Sequence, residues 1–235
     1  MMELSKVVPW GRSLNEYRQM FSLSADDLRK KILGCADGPA SFNAELTSFG
    51  GNVVSVDPIY HFDARQIRAR IDEAYPQIME QVTKKMGDYV WKHIRSVEEL
   101  GQVRMNAMLT FLADYEQGKA SVRYIDASLP RLPFASAEFD LALCSHYLFL
   151  YSEQVDQEQH ILSMQELCRV AREVRVYPLQ SIGDNQVSPH LQPVISALSD
   201  EGIAVSLVPV AYEFQKGATE MLLARSVQGV ATACR

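Results

Sequence analysis

Apolar runs of strand length alternate with longer amphipathic segments along most of this chain, a pattern that calls for a sheet flanked by helices. Lys31 to Cys35 reads as a strand running into a small-residue loop. Pro39 suits the first turn of the next helix, where its fixed φ fits and its missing N–H would be unpaired anyway. That helix passes through Phe42, Leu46 and Phe49 and stops at Gly50-Gly51. Asn52 to Val56 is a second strand, closed by Asp57-Pro58; Ser121 to Ile125 reads as a third and Phe139 to Cys144 as a fourth. A helix ends over Gln165 to Ala171, and Glu173 to Tyr177 is a fifth strand stopped by Pro178. Leu191 to Leu198 is helical and ends near Gly202. Two last strands, Ala204 to Phe214 and Glu220 to Arg225, are joined by Gln215-Lys216-Gly217-Ala218, which suits a hairpin. The expectation is an α/β fold with a mostly parallel sheet and an antiparallel hairpin at its end.

Tyr60 to Gly118 is far longer than one crossover helix requires. Ile67, Ile71, Ile78, Val82, Met86 and Val90, then Val103, Met108, Leu109 and Leu112, recur at helical spacing, so several helices are inserted here. The chain divides into a core at about 28–60 and 119–226, a helical insertion at about 61–118 and an N-terminal cap at 1–27, all within one domain. Its 235 residues are enough for a sizeable core without metal or disulfide support. Lys plus Arg number 23 against 29 Asp plus Glu, a net charge of -6, which argues against bulk binding to nucleic acid or an anionic membrane. Cys35, Cys144, Cys168 and Cys234 are scattered, and the first three read as small buried hydrophobes in a reducing compartment. The first residues lack the apolar run of a signal peptide, and Leu141 to Tyr151 is too short to cross a bilayer. A soluble protein of the cytoplasm is expected. His61, His160 and His190 lack partners at ligand spacing, so no metal is argued.

Three motifs carry chemistry. Gly34-Cys35-Ala36-Asp37-Gly38 sits between a strand and a helix, where a small-residue turn lets a ligand approach the backbone and the helix N-terminus favours a negative group. A dinucleotide fingerprint fails at Pro39, and no Gly-Lys-Ser/Thr phosphate loop is present. A plain tight turn is the competing account. Asp57, about twenty residues past that loop, is placed to accept hydrogen bonds from ribose hydroxyls, or to cap the turn before Pro58. The third motif runs from Tyr124-Ile125-Asp126-Ala127 through Leu132-Pro133-Phe134 to Phe139-Asp140 and the fourth strand.

In this order the three motifs resemble class I S-adenosylmethionine-dependent methyltransferases over residues 30–60 and 120–225. The resemblance implies a Rossmann-like seven-stranded sheet of order 3-2-1-4-5-7-6 with its last strand antiparallel. It also implies S-adenosylmethionine as cofactor and methyl transfer to a small-molecule or protein acceptor. The implied cofactor site comprises Gly34, Cys35, Ala36, Asp37, Gly38, Asp57, Pro58, Asp126, Ala127 and Ser145, with Asp126 beside the adenine amino group. The chain departs from the family at Ile32, where an acid is common, and at Ala36, the middle glycine; Asp37 is a candidate substitute for the acid. A non-catalytic binding or scaffold protein on the same fold is the alternative.

His146, just past the fourth strand, is the candidate general base, with a structural or cofactor-stacking role as the alternative. Tyr147 and Tyr151 read as wall and core. Trp10 and Tyr17 are candidates to cap the site near a sulfonium or to pack on the sheet. Lys84, Lys85, Tyr89, Trp91, Lys92, His93 and Arg104 read as a basic, aromatic acceptor surface or as a solvated helix face.

Overall fold

A computed structural model describes residues 8–226. In chain order its elements are α1 (Leu14–Met20), β1 (Lys31–Cys35), α2 (Phe42–Ser48), β2 (Asn52–Val56), α3 (Ala64–Lys84), α4 (Val97–Ala120), β3 (Tyr124–Ile125), β4 (Phe139–Ser145), α5 (Gln157–Val170), β5 (Ala171–Tyr177), α6 (Leu191–Asp200), β6 (Ile203–Pro209) and β7 (Glu220–Ser226). They form one seven-stranded sheet of order β3-β2-β1-β4-β5-β7-β6. The pairs from β3 to β5 are parallel, and β7 runs antiparallel to both β5 and β6. This is the Rossmann-like order that the methyltransferase resemblance implies.

The central strands are apolar throughout because both faces of the sheet are covered. Along β1, Ile32 enters one apolar cluster and Leu33 the other; along β4, Leu141 and Leu143 alternate with Ala142 and Cys144 in the same way. α5 and α6 cover the face of Leu33 through Met164, Leu167, Val194 and Leu198. α1 and α2 cover the other through Tyr17, Met20, Phe42 and Leu46. Side chains at the helix starts accept orphan backbone N–H groups: Ser13 from Glu16, Asp63 from Gln66, Ser96 from Glu99 and Asp156 from Gln159.

The insertion is built on the long helices α3 and α4. Ile67, Ile71, Ile78 and Val82 lie on the buried face of α3. Phe111 and Tyr115 of α4 pack with Tyr60 and with Tyr124 of the edge strand β3. Met86 and Leu109, placed in the same apolar pattern by sequence, are 46% and 41% exposed.

Three boundaries differ from expectation. β3 shrinks to two residues because Ser121 and Val122 complete the last turn of α4, their amides donating to Gln117 and Lys119. Ala171 opens β5 instead of closing α5. β6 stops at Pro209, and residues 210–219 form a ten-residue connection in place of a four-residue loop. Phe214 is drawn away there to stack on Tyr89 at 4.9 Å, while its carbonyl accepts from Val90 N at 2.7 Å. Cys35, Cys144 and Cys168 are buried free thiols, and Cys234 lies outside the described residues. Among the described residues no helix is long and apolar enough to cross a membrane.

Candidate functional site

The carboxyl ends of β1, β2, β4 and β5 open on one cavity of about 470 Å3. Crevices at this edge of parallel sheets are where ligands bind in such folds. Of the residues singled out from sequence, Cys35, Ala36, Asp37, Gly38, Asp57, Pro58, Ala127, Ser145 and His146 line it. Gly34 and Asp126 do not.

The turn after β1 is held from several directions. Ala36 N donates to Val56 O at 2.9 Å, and the hydroxyl of buried Tyr60 donates to Gly38 O at 2.8 Å. Ala36 and Gly38 have φ of +56° and +54°, a region that costs an L-residue roughly 1–2 kcal/mol. Such strain persists only where the surroundings impose it. Gly34 is required because Asp37 folds back over it: a Cβ there would stand 1.8 Å from Asp37 Oδ2. Asp37 Oδ1 accepts from the Tyr17 hydroxyl at 2.7 Å and Oδ2 from Ser55 Oγ at 2.6 Å. Burial pushes this carboxyl up to about 7, against the pull of those two hydrogen bonds.

Asp57 follows β2 and ties the turn to the next segment. Oδ2 accepts from Gly38 N at 2.9 Å and Oδ1 from Ile59 N at 2.8 Å, so the turn-capping role is present. Each carboxylate oxygen keeps a further lone pair for a ligand hydroxyl. Burial, and secondarily the charge of Asp126, raise Asp57 to about 6. Asp126 itself is half exposed and lies 3.0 Å from His61 Nδ1, a partnership that sequence spacing did not disclose. His160 is also engaged: its Nε2 accepts from Phe149 N at 3.0 Å, and its ring stands 4.6 Å from that of His190.

His146 follows β4 with φ +55°, its N–H donating to Tyr177 O at 2.8 Å and its Nδ1 lying 2.9 Å from Ser145 Oγ. Burial, then the charges of Arg12 and Arg104, push its pKa well below the ordinary 6.5, so the imidazole is neutral at physiological pH. Tyr147 and Tyr151 both line the cavity.

The N-terminal segment and the insertion close the rest of the cavity. Trp10 and Tyr17 both line it, and Tyr17 also stacks on Phe42 at 4.2 Å, so its packing role and its site role coincide. Lys85 and Tyr89 line the cavity, whereas Lys84 is exposed and paired with Glu80 at 2.6 Å. Arg104 also lines the cavity, and the alternative of a solvated helix face fails for it. It is 1% exposed, and its Nη1 lies 2.5 Å from Glu16 Oε1 on the cavity wall. Glu16 also accepts from the Tyr212 hydroxyl at 3.1 Å. Glu16 and Tyr212, the partners of Arg104, and Arg12 are functional candidates that sequence reading missed. Only the Ser13-x-x-Glu16 capping box carried a local signal; the partners are 88 and 196 residues away from Glu16.

No protein-family model matches this chain. An uncharacterised protein of Methanocaldococcus jannaschii, MJ0045, is 30% identical over 226 residues, spanning 95% of this chain and 98% of the relative. Among solved structures, magnesium protoporphyrin IX methyltransferase from Synechocystis with bound SAM is similar at 10% identity and TM-score 0.47, over 90% of this chain and 77% of that one. A SAM-dependent methyltransferase from Aquifex aeolicus is similar at 14% identity and TM-score 0.44, over 91% and 89%. At these levels neither neighbour lends its ligand or substrate to this chain.

Proposed function

This chain belongs to the same family as MJ0045 of Methanocaldococcus jannaschii, and for it we propose S-adenosylmethionine-dependent methyl transfer to a small-molecule or protein acceptor. The observation that carries the reading is a convergence. The turn 35–38 after β1, Asp57 after β2 and Ser145-His146 after β4 line one cavity, on a sheet of order 3-2-1-4-5-7-6.

The residues present fit the cofactor. A Cβ at Gly38 would meet nothing nearer than Asp57 Oδ2 at 3.9 Å, so the turn leaves its backbone open to a ligand. Backbone groups of Cys35 to Gly38 would hold the amino-acid part, Asp57 with Pro58 the ribose, and Ala127 the side of the base. Asp37, folded over Gly34, supplies a carboxylate to the turn, while β1 carries apolar, fully buried Ile32 where the family often has an acid. Asp126 would exchange His61 for the adenine amino group.

When bound, S-adenosylmethionine supplies an electrophilic methyl group on a sulfonium, whose positive charge disappears as the methyl departs. What the protein contributes is alignment and exclusion of water. Tyr17 and Trp10 wall the cavity on the N-terminal side, and α3 and α4 wall it through Ile78, Val82 and Leu100. His146 is the general base in this reading. Its Nδ1 is engaged by Ser145, and its Nε2 has no hydrogen-bond partner among the described residues. Being neutral, it can take a proton from an acceptor hydroxyl, amine or thiol.

Calorimetric titration with S-adenosylmethionine, S-adenosylhomocysteine and NAD tests the reading. Micromolar binding of the first two, weak or absent NAD binding and loss of affinity in Asp57→Ala are expected. NAD binding in preference, or no binding of either sulfur compound by folded protein, would refute it. Binding with no turnover across an acceptor screen would favour a non-catalytic binding protein on this fold.

A further inference from the structure

The cavity wall includes one apolar cluster of Trp10, Ile78, Val82, Leu100, Tyr89 and Phe214. Arg12 stands in this mostly apolar wall with no ion pair to a carboxylate among the described residues. Its backbone is fixed, because the carbonyl accepts from Ser41 N at 3.0 Å and a Cβ on neighbouring Gly11 would stand 2.0 Å from Pro39 O. In the guanidinium, Nη1 donates to Trp10 O at 3.1 Å. Nε is shut off from solvent and has no hydrogen-bond partner among the described residues.

Glu16, the carboxylate that acts on Arg12, is already committed. Oε1 takes Arg104 and Tyr212, and Oε2 takes the backbone N–H and hydroxyl of Ser13. Arg104 adds repulsion to Arg12 instead of relief. The other cations of the lining are placed differently: Arg70 lies over the Phe62 ring at 3.9 Å, and Lys85 caps the C-terminal end of α3. Around Glu16 two guanidinium groups share one carboxylate, and Arg12, beside Trp10, makes no ion pair with a described residue. A guanidinium that lines a cavity without an ion pair is suited to a ligand carboxylate.

We infer that the methyl acceptor is a small organic carboxylate, its acid group docked on Arg12 and its apolar body against Trp10, Tyr89 and Phe214. A dianionic phosphate, for which Arg70 and Lys85 on the same lining would supply further cations, is the outcome that phenyl phosphate tests. The inference rests on the methyltransferase reading, since it assigns the acceptor half of the same cavity.

The test uses the full chain and three probes: phenylacetate, its neutral isostere phenylacetamide, and phenyl phosphate. S-adenosylhomocysteine affinity is measured first, and each probe is then titrated calorimetrically with and without it. Failure of S-adenosylhomocysteine to bind counts against the cofactor reading alone, because the probes are also tested in its absence. Phenylacetate is expected to bind at least about tenfold more tightly than the amide. Arg12→Met should weaken phenylacetate by about tenfold to a hundredfold and leave S-adenosylhomocysteine affinity unchanged. Equal binding of acid and amide, tighter binding of phenyl phosphate, no binding of phenylacetate, or an indifferent Arg12→Met would each overturn the inference. If Arg12→Met does not fold, the comparison of acid with amide on the parent protein decides.

Discussion

Replacing Asp37 with asparagine is predicted to stabilise the protein above neutral pH and to change it little near pH 4. The reason is the environment of its carboxyl group, which is buried under the N-terminal segment and raised from 3.8 to about 7. An acid whose folded pKa is raised favours folding most below its unfolded value, and that contribution is lost as pH climbs through the folded value. At about 1.4 kcal/mol per pH unit, the rise costs the folded state about 4 kcal/mol once the group is ionised in both states. Asparagine never ionises, and it can keep both contacts: its oxygen accepts from Ser55 Oγ while its amide donates to the Tyr17 hydroxyl oxygen. Weaker hydrogen bonds take back about 1–2 kcal/mol, so a net gain of about 2–3 kcal/mol is expected at pH 8. The repulsion of Asp37 by Asp57 is already contained in that rise. The assay is urea unfolding of both proteins from about pH 4 to pH 8.5, read as the difference in unfolding free energy at each pH. A difference that does not grow with pH, or an Asp37→Asn protein less stable at pH 8, would refute the argument.

Other consequences follow from named contacts. Arg104→Met should destabilise by about 3–5 kcal/mol, because it strands the buried Glu16 carboxylate; denaturant midpoints measure this. Arg12→Met should be as stable as the parent protein or more so, since it removes a cation with no ion pair among the described residues; a loss above about 1 kcal/mol in the same assay would mark Arg12 as structural. The imidazole of His146, held well below 6.5, should show no protonation step between about pH 6 and pH 8 in proton NMR, whereas a midpoint near 6.5 would contradict its burial. The sign for stability is the reverse of Asp37: the unfolded chain takes up a proton on this histidine below its ordinary value, so stability falls as the medium becomes acid.

The sheet was legible because strand signals are local. β1 and β2 begin and end where apolar runs meet a small-residue turn and an Asp-Pro stop, and β5 ends at its proline. Elements decided by distant partners were not. Ser121 and Val122 have strand-like neighbours, yet α4 claims their amides, and Phe214 leaves the hairpin because an aromatic cluster 125 residues upstream accepts it. The same division runs through the site. The glycine turn, Asp57 and His146 sit at strand ends, where topology alone brings them together. Arg104 looked like part of a charged helix face, and nothing within its own helix says that Glu16 waits behind it. Arg12 lies in a short lead-in with no periodicity at all, and only the fold shows that its guanidinium lines the cavity with no ion pair among the described residues. Asp126 marks the opposite case: its motif is legible, yet its side chain turns to His61 at the exposed rim.

A crystal structure of the protein soaked with S-adenosylhomocysteine tests the central claim most directly. The account predicts the ribose hydroxyls on the Asp57 carboxylate, the base beside Ala127 and the amino-acid part along Cys35 to Gly38. It also predicts a cavity left open at Arg12, ready for an acceptor. A nucleoside seated away from Asp57, or a crystal whose cavity stays vacant at saturating ligand, would contradict it.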